Sequence, residues 1–102
     1  MELNDYLAAL IVFQNANTLS ENDDRILYNL GICNLQLDEY EESIRKFRKA
    51  LKINTEDPDI YYALGKSYIK LNKRKKVEDI LDILYMLSPN YYESLLFLSR
   101  KN

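Results

Sequence analysis

A dipeptide returns at a fixed interval along this chain. Leu30-Gly31 recurs as Leu64-Gly65, 34 residues later. The same shift pairs Leu27 with Tyr61 and Leu51 with Tyr85. Shifted backward, it pairs Tyr40 with Tyr6, Ser43 with Ala9, Phe47 with Phe13 and Ala50 with Ala16. Shifted forward, it pairs Tyr61, Leu64 and Gly65 with Leu95, Leu98 and Ser99. A period of this length, kept from near the first residue to near the last, restricts the chain to a stack of similar small units. One such unit cannot bury its apolar face alone, so neighbours must stack into a continuous core.

Within each unit the spacing is helical. Leu27, Leu30, Gly31 and Asn34 fall at i, i+3, i+4 and i+7, and so do Tyr61, Leu64, Gly65 and Tyr68. Tyr40, Ser43, Phe47, Ala50 and Leu51 continue the pattern on a second helix. Asp38, with Glu41 three residues on, fits a helix N-cap backed by an acidic residue. Asp57-Pro58 and Ser88-Pro89 each set a capping side chain before a proline suited to a first helical turn. Two glycines and two prolines in 102 residues leave little room for turn-rich β structure. These signals predict six helices, near 2–17, 23–36, 39–53, 58–71, 74–87 and 90–100. Short connections make sequence neighbours pack antiparallel. Gly31 and Gly65 let a neighbouring helix approach closely, as do Ala50 and Ala16, while Leu30, Leu64, Phe47 and Phe13 fill the space between layers.

The run Leu27-x-x-Leu30-Gly31, then Tyr40-x-x-Ser43-x-x-x-Phe47-x-x-Ala50-Leu51, resembles a tetratricopeptide (TPR) repeat. Leu27 stands where the family often has Trp, and Ser43 where it prefers Ala. In the second copy Tyr61, Leu64, Gly65, Tyr68 and Pro89 fit. Arg74, Val77, Leu81 and Leu84 replace the family's aromatic and small residues. The resemblance implies an all-α, right-handed α-solenoid of antiparallel helix pairs. It divides the chain into a half repeat over 1–22 (second helix only), full repeats over 24–57 and 58–91, and a half repeat over 92–102 (first helix only). The length, 102, is three times 34, as if three repeats were cut open in the middle of one. Leu3, Leu7, Leu10 and Ile11 lie beside Tyr6, Ala9, Val12 and Phe13, so apolar residues surround much of the first helix. Tyr91, Tyr92, Leu95, Leu96, Phe97 and Leu98 do the same for the last. Three arrangements fit: a segment of a longer repeat protein, association through the ends, or a compact monomer that tolerates the exposure. Leu7, Leu10, Ile11, Tyr92, Leu95 and Leu96 are the candidates for self-association.

Composition removes most chemistry. Histidine is absent, which excludes His-based metal sites and Ser-His or Cys-His catalytic pairs. The single cysteine, Cys33, cannot form an internal disulfide or a CxxC pair, and beside the core face it is expected to be a small buried filler. The glycines lie inside predicted helices, so there is no phosphate-cradling loop. No catalytic residue, cofactor or metal is expected, and the chain reads as a non-enzyme. The longest apolar run, Leu7 to Phe13, is far below the roughly 20 residues a membrane-spanning helix needs. Glu2 and Asp5 stand where a signal peptide would be basic, and a cytoplasmic home is the default expectation.

In TPR-like stacks the first helix of each pair lines a concave groove. Residues 27, 30, 31 and 34 take the core face, leaving Arg25, Tyr28, Ile32, Leu35 and Gln36 for the groove. The second repeat contributes Asp59, Tyr62, Lys66, Ile69 and Lys70. Tyr28 and Tyr62 should stand side by side, and tyrosine offers large contact area with a polar tip. The expectation is a scaffold or adaptor that binds a peptide or helix of a partner protein in an aromatic, apolar groove; the competing reading is self-assembly through the ends. Some TPR proteins hold the C-terminal carboxylate of heat-shock chaperones with Lys, Asn and Arg in this groove. Here Tyr28 and Ile32 stand at the first Lys and Asn positions, Ala63 at the second Asn, and Glu93 and Leu96 at the last Lys and Arg. That argues against chaperone-tail binding. Net charge is −2, but residues 63–77 carry six basic and no acidic groups, whereas 1–62 carry six basic and twelve acidic. Lys66, Lys70, Lys73, Arg74, Lys75 and Lys76 form this segment, read as a solvated turn. The full charge signature of a nucleic-acid binder is missing.

Overall fold

The computed structural model describes residues 3–19 and 23–101. Among them are six helices and no strand: α1 Leu3–Leu19, α2 Asp24–Gln36, α3 Tyr40–Ile53, α4 Pro58–Lys70, α5 Arg74–Leu87 and α6 Pro89–Arg100. Each lies within two residues of its sequence-predicted range. The side chains of Leu3, Phe13 and Ala16 lie outside the described residues.

The period is exact in the backbone. Both bounds of α2 shifted by 34 give those of α4, and both bounds of α3 give those of α5. The helix starts follow from side-chain caps. Asp23 accepts from the amides of Arg25 and Ile26 at 2.9 and 3.2 Å. Asp57, 34 residues on, accepts from Asp59 at 2.9 Å before Pro58 enters the first turn. Ser88 caps α6 through the Tyr91 amide and also closes α5. A one-residue connection therefore starts α6 one turn earlier than the repeat register alone requires.

Asp38 does not cap α3. Its φ is 62°, in the left-handed region, and Glu39 takes the N-cap place without a side-chain bond. Asp38 instead ends α2. Its amide donates to the Leu35 carbonyl at 3.1 Å, and that of Glu39 to Asn34 at 2.8 Å. This paired closure is a Schellman turn. Asn72, φ 55°, closes α4 in the same way, with amides of Asn72 and Lys73 on the carbonyls of Ile69 and Tyr68. Asp and Asn tolerate this conformation because their short polar side chains bond locally; the Tyr40 hydroxyl donates to Asp38 at 2.9 Å.

The helices stack around one core. α4 is central, touching α2, α3, α5 and α6, while α1 packs on α2. Leu27, Leu30, Gly31 and Asn34 are all buried, as the spacing requires. Phe47 is fully buried and lies over Gly31; a Cβ there would sit 2.5 Å from its ring. In the second pair Leu81 occupies the Phe47 position and is smaller. Ile80 and Leu95, from α5 and α6, fill the space over Gly65 instead. A buried hydroxyl pair ties the repeats: Ser43 donates to Ser67 at 2.9 Å, and Ser67 to the Ala63 carbonyl at 3.1 Å. Cys33 is buried, and burial pushes its thiol up from the usual range.

The two glycines should respond differently to a methyl group. Gly31→Ala meets a rigid, enclosed ring and is expected to lose about 1–2 kcal/mol, outweighing the roughly 1 kcal/mol that alanine gains in a helix. Gly65→Ala meets the pliable end of Leu95 and should lose less. Urea denaturation measures both, and a Gly31→Ala protein as stable as wild type would contradict the packing.

Candidate functional site

The first helices of the pairs, α2 and α4, carry the predicted groove residues, and the structure joins seven side chains on that side. Arg25 lies over the Tyr28 ring at 4.6 Å and pairs with Asp57 across the repeats at 3.1 Å. Tyr28 packs on Phe47, ring centroids 6.0 Å apart. The next helix supplies Asp59, which accepts from the Tyr91 hydroxyl at 2.5 Å. Tyr91 stacks on Tyr62 at 4.6 Å, and the Lys66 ammonium lies 4.8 Å from the far ring's centre. The order is Arg25, Tyr28, Asp59, Tyr91, Tyr62, Lys66, with Asp57 bracing the first member. Tyr28 and Tyr62 share the face, with Tyr91 and Asp59 associated with both.

The aromatic floor is an outgrowth of the core. Tyr28, Ile32, Tyr62, Ile69 and Tyr91 are partly buried and pack against core residues. Gln36 and Lys70, at the helix ends, are exposed. Leu35 is a correction: at 7% exposure it is a core residue and offers no docking surface. Ala63, at the second Asn position of the chaperone-tail pattern, is buried at 1%. Tyr91 is the member that the sequence places only on an apolar terminal helix. The signal was Ser88-Pro89, which starts α6 early and turns Tyr91 toward α4.

Electrostatics grade along the face. Desolvation raises the Tyr28 hydroxyl above its ordinary pKa, with Asp59 adding to the effect. The hydrogen bond to Asp59 pushes Tyr91 up to about 12, with burial second. Desolvation lowers Lys66, whose ammonium has no carboxylate in ion-pair range among the described residues. The α2 end thus balances its cation with Asp57, and the α4 end does not.

The candidate self-association residues divide. Leu7 and Ile11 are 44% and 61% exposed on α1, and Leu10, Tyr92 and Leu96 are partly buried. Leu95 is a second correction: it is fully buried over Gly65 and cannot join an intermolecular contact. Among the described residues no helix is long and apolar enough to cross a membrane.

Antiparallel helix pairs at a fixed period, with one helix of each pair facing a shared surface, define an α-helical repeat protein. Residues 34–72 match the family model described as a TPR repeat. These residues carry a tetratricopeptide repeat, and proteins built of such repeats are generally non-catalytic scaffolds for protein–protein interaction. A curated relative, the BBSome complex member BBS4 of Bos taurus, is 29% identical over 93 residues. The match takes in 91% of this chain and 18% of that protein, so the chain spans under a fifth of its relative. A solved structure, the Hsp90 co-chaperone Cns1 from Saccharomyces cerevisiae, is similar with a TM-score of 0.82. It is 21% identical, over 94% of this chain and 33% of that one, and the likeness is one of fold.

The Tyr91–Asp59 bond gives a direct check. Between about pH 10 and 12 this bond's contribution to stability is lost as Tyr91 ionises, and below pH 10 it is fully present. Ultraviolet titration should show one tyrosine ionising near 12. That step should vanish in Tyr91→Phe and move down in Asp59→Asn. An unchanged titration in Tyr91→Phe would contradict the assignment.

Proposed function

We propose that the chain is a non-catalytic binding module, a scaffold or adaptor, that holds a peptide or helix of a partner protein on the face of α2 and α4. The observation that carries this reading is the half-buried row Tyr28, Tyr91 and Tyr62. Side chains of this kind present apolar area with few rotors to freeze and a polar edge for orientation. An amphipathic helix or extended apolar segment fits such a floor. The groove set is Arg25, Tyr28, Ile32, Gln36, Asp59, Tyr62, Lys66, Ile69 and Lys70, with Tyr91 added. The organisation that goes with it is two full repeats, 24–57 and 58–91, between half repeats, in a cytoplasmic setting.

Cns1 is a Hsp90 co-chaperone by name, but its likeness carries fold rather than ligand. Tyr28, Ile32 and buried Ala63 at the positions of a carboxylate-holding set speak against that ligand here. A second reading, self-association, is favoured by the exposed Leu7, Ile11 and Val12 on α1.

A pull-down from native lysate compares wild type with Tyr28→Ala/Tyr62→Ala, checked for folding by circular dichroism. A partner kept by wild type and reduced about tenfold or more by the double variant is expected. Equal retention by both forms, or retention only of further copies of the chain, would overturn the groove reading; the second outcome would support self-association.

A further inference from the structure

The α2–α3 and α4–α5 turns have the same backbone and opposite charge. The first reads Asp38-Glu39-Tyr40-Glu41-Glu42, and the second, 34 residues on, Asn72-Lys73-Arg74-Lys75-Lys76. They are neighbours on one edge of the stack, since Leu71 at the end of α4 shares a shallow cleft with the acidic turn. The acidic turn suits its place. Glu41 and Glu42 lie in the first turn of α3, where negative charge is favourable, and Glu42 pairs with Arg45 and Lys46.

The basic turn does not suit its place. α5 opens with Arg74, Lys75 and Lys76, has no acidic residue in its first turn and no side-chain cap. Cations there oppose the helix dipole. Among the described residues no carboxylate lies in ion-pair range of Lys70, Lys73, Arg74, Lys75 or Lys76. Beside them opens a cleft of about 340 Å³ between the ends of α4 and α6 and the start of α5. Its apolar floor is Ile69 and Leu81 over the buried Val77, and Lys73, Arg74 and Arg100 stand around it.

We infer that this cleft docks an acidic segment of a partner polypeptide. One apolar side chain of the segment sits on Ile69 and Leu81, and flanking carboxylates meet Lys73, Arg74 and Arg100. Charge complementarity selects the acidic class, and the apolar floor selects a polypeptide over a phosphate backbone. Glu78 also lines the cleft, and the acidic turn bounds the basic surface on its neighbouring side. A long polyanion would run from the basic turn onto Asp38, Glu39, Glu41 and Glu42. The inference shares with the proposed function that the partner is a protein; the cleft touches the groove at Ile69 and is otherwise lined by different residues.

The test is fluorescence anisotropy with the whole chain and a labelled peptide of glutamates around one central leucine, at low salt. Lys73→Glu/Arg74→Glu should weaken binding about tenfold or more, while the charge-matched Lys49→Glu/Lys52→Glu should change it less than about twofold. Raising salt, or replacing the peptide's leucine by glutamine, should weaken it as well. The reversed residues favour the α5 dipole, so the Tm of Lys73→Glu/Arg74→Glu should not fall, which separates lost binding from lost folding. No binding by wild type, equal binding by both charge variants, or a thymidine oligonucleotide bound as tightly as the peptide would each overturn the inference. Tyr28→Ala/Tyr62→Ala should keep the peptide bound; its loss there would place the acidic segment in the groove and also overturn the inference.

Discussion

Close contact between a bare helix backbone and a buried ring sets the spacing of this molecule. Gly31 gives α2 no side chain where Phe47 of α3 crosses it, and the ring takes the space. That contact holds the two helices of the first pair at one distance and one rotation. Protein interiors are close-packed, so a change of one methyl group at such a contact propagates. The second pair answers the same geometrical demand with different residues. Leu81 is too small to fill the space that Phe47 fills, and Ile80 with Leu95 closes over Gly65. The consequence is that α6 is built into the core rather than laid upon it.

The proposed binding face depends on that packing. Tyr28 leans on Phe47, so the ring that closes the first pair also supports the first aromatic of the groove. Tyr91 comes from α6, whose position is fixed by Leu95, and it stacks on Tyr62 while its hydroxyl reaches Asp59. Rings held by the core in this way lose little freedom when a ligand arrives, which favours binding. The charge pattern is laid over the same frame. Equivalent turns carry opposite signs, with Glu42 paired internally on one and, among the described residues, no ion pair to the lysines or Arg74 on the other.

Most of the architecture is legible in the residues, because period and helical spacing are properties of the chain itself. Leu30-Gly31 and Leu64-Gly65 set the register, Asp57-Pro58 and Ser88-Pro89 start two helices, and Gly31 anticipates a close neighbour. What escaped the reading depends on three-dimensional context. The sequence places Asp38 at the start of α3, yet it closes α2 in a left-handed conformation; Asp38 and Asn72, 34 apart, share that role. Leu35 is apolar at a position that a helical wheel places outward, and Leu95, in the core register of Leu27 and Tyr61, lies on a helix with no second helix of its own; only neighbouring helices show that both are covered. The wheel treats α4 as one-sided, whereas contact with four helices buries Ile60, Ala63 and Ser67 as well. The groove set was legible in outline, and Tyr91 joined it only because Ser88 ends one helix and begins the next.

One continuous core, running from Leu27 to Leu95, makes α2 to α6 a single rigid body that presents the proposed groove. Native-state amide hydrogen exchange, followed residue by residue with rising denaturant, tests it most directly. The slowest amides of α2, α3, α4 and α5 should converge on one opening free energy, with α6 joining them through Leu95. Separate values for the α2–α3 and α4–α5 pairs, or α6 opening alone at low free energy, would contradict it.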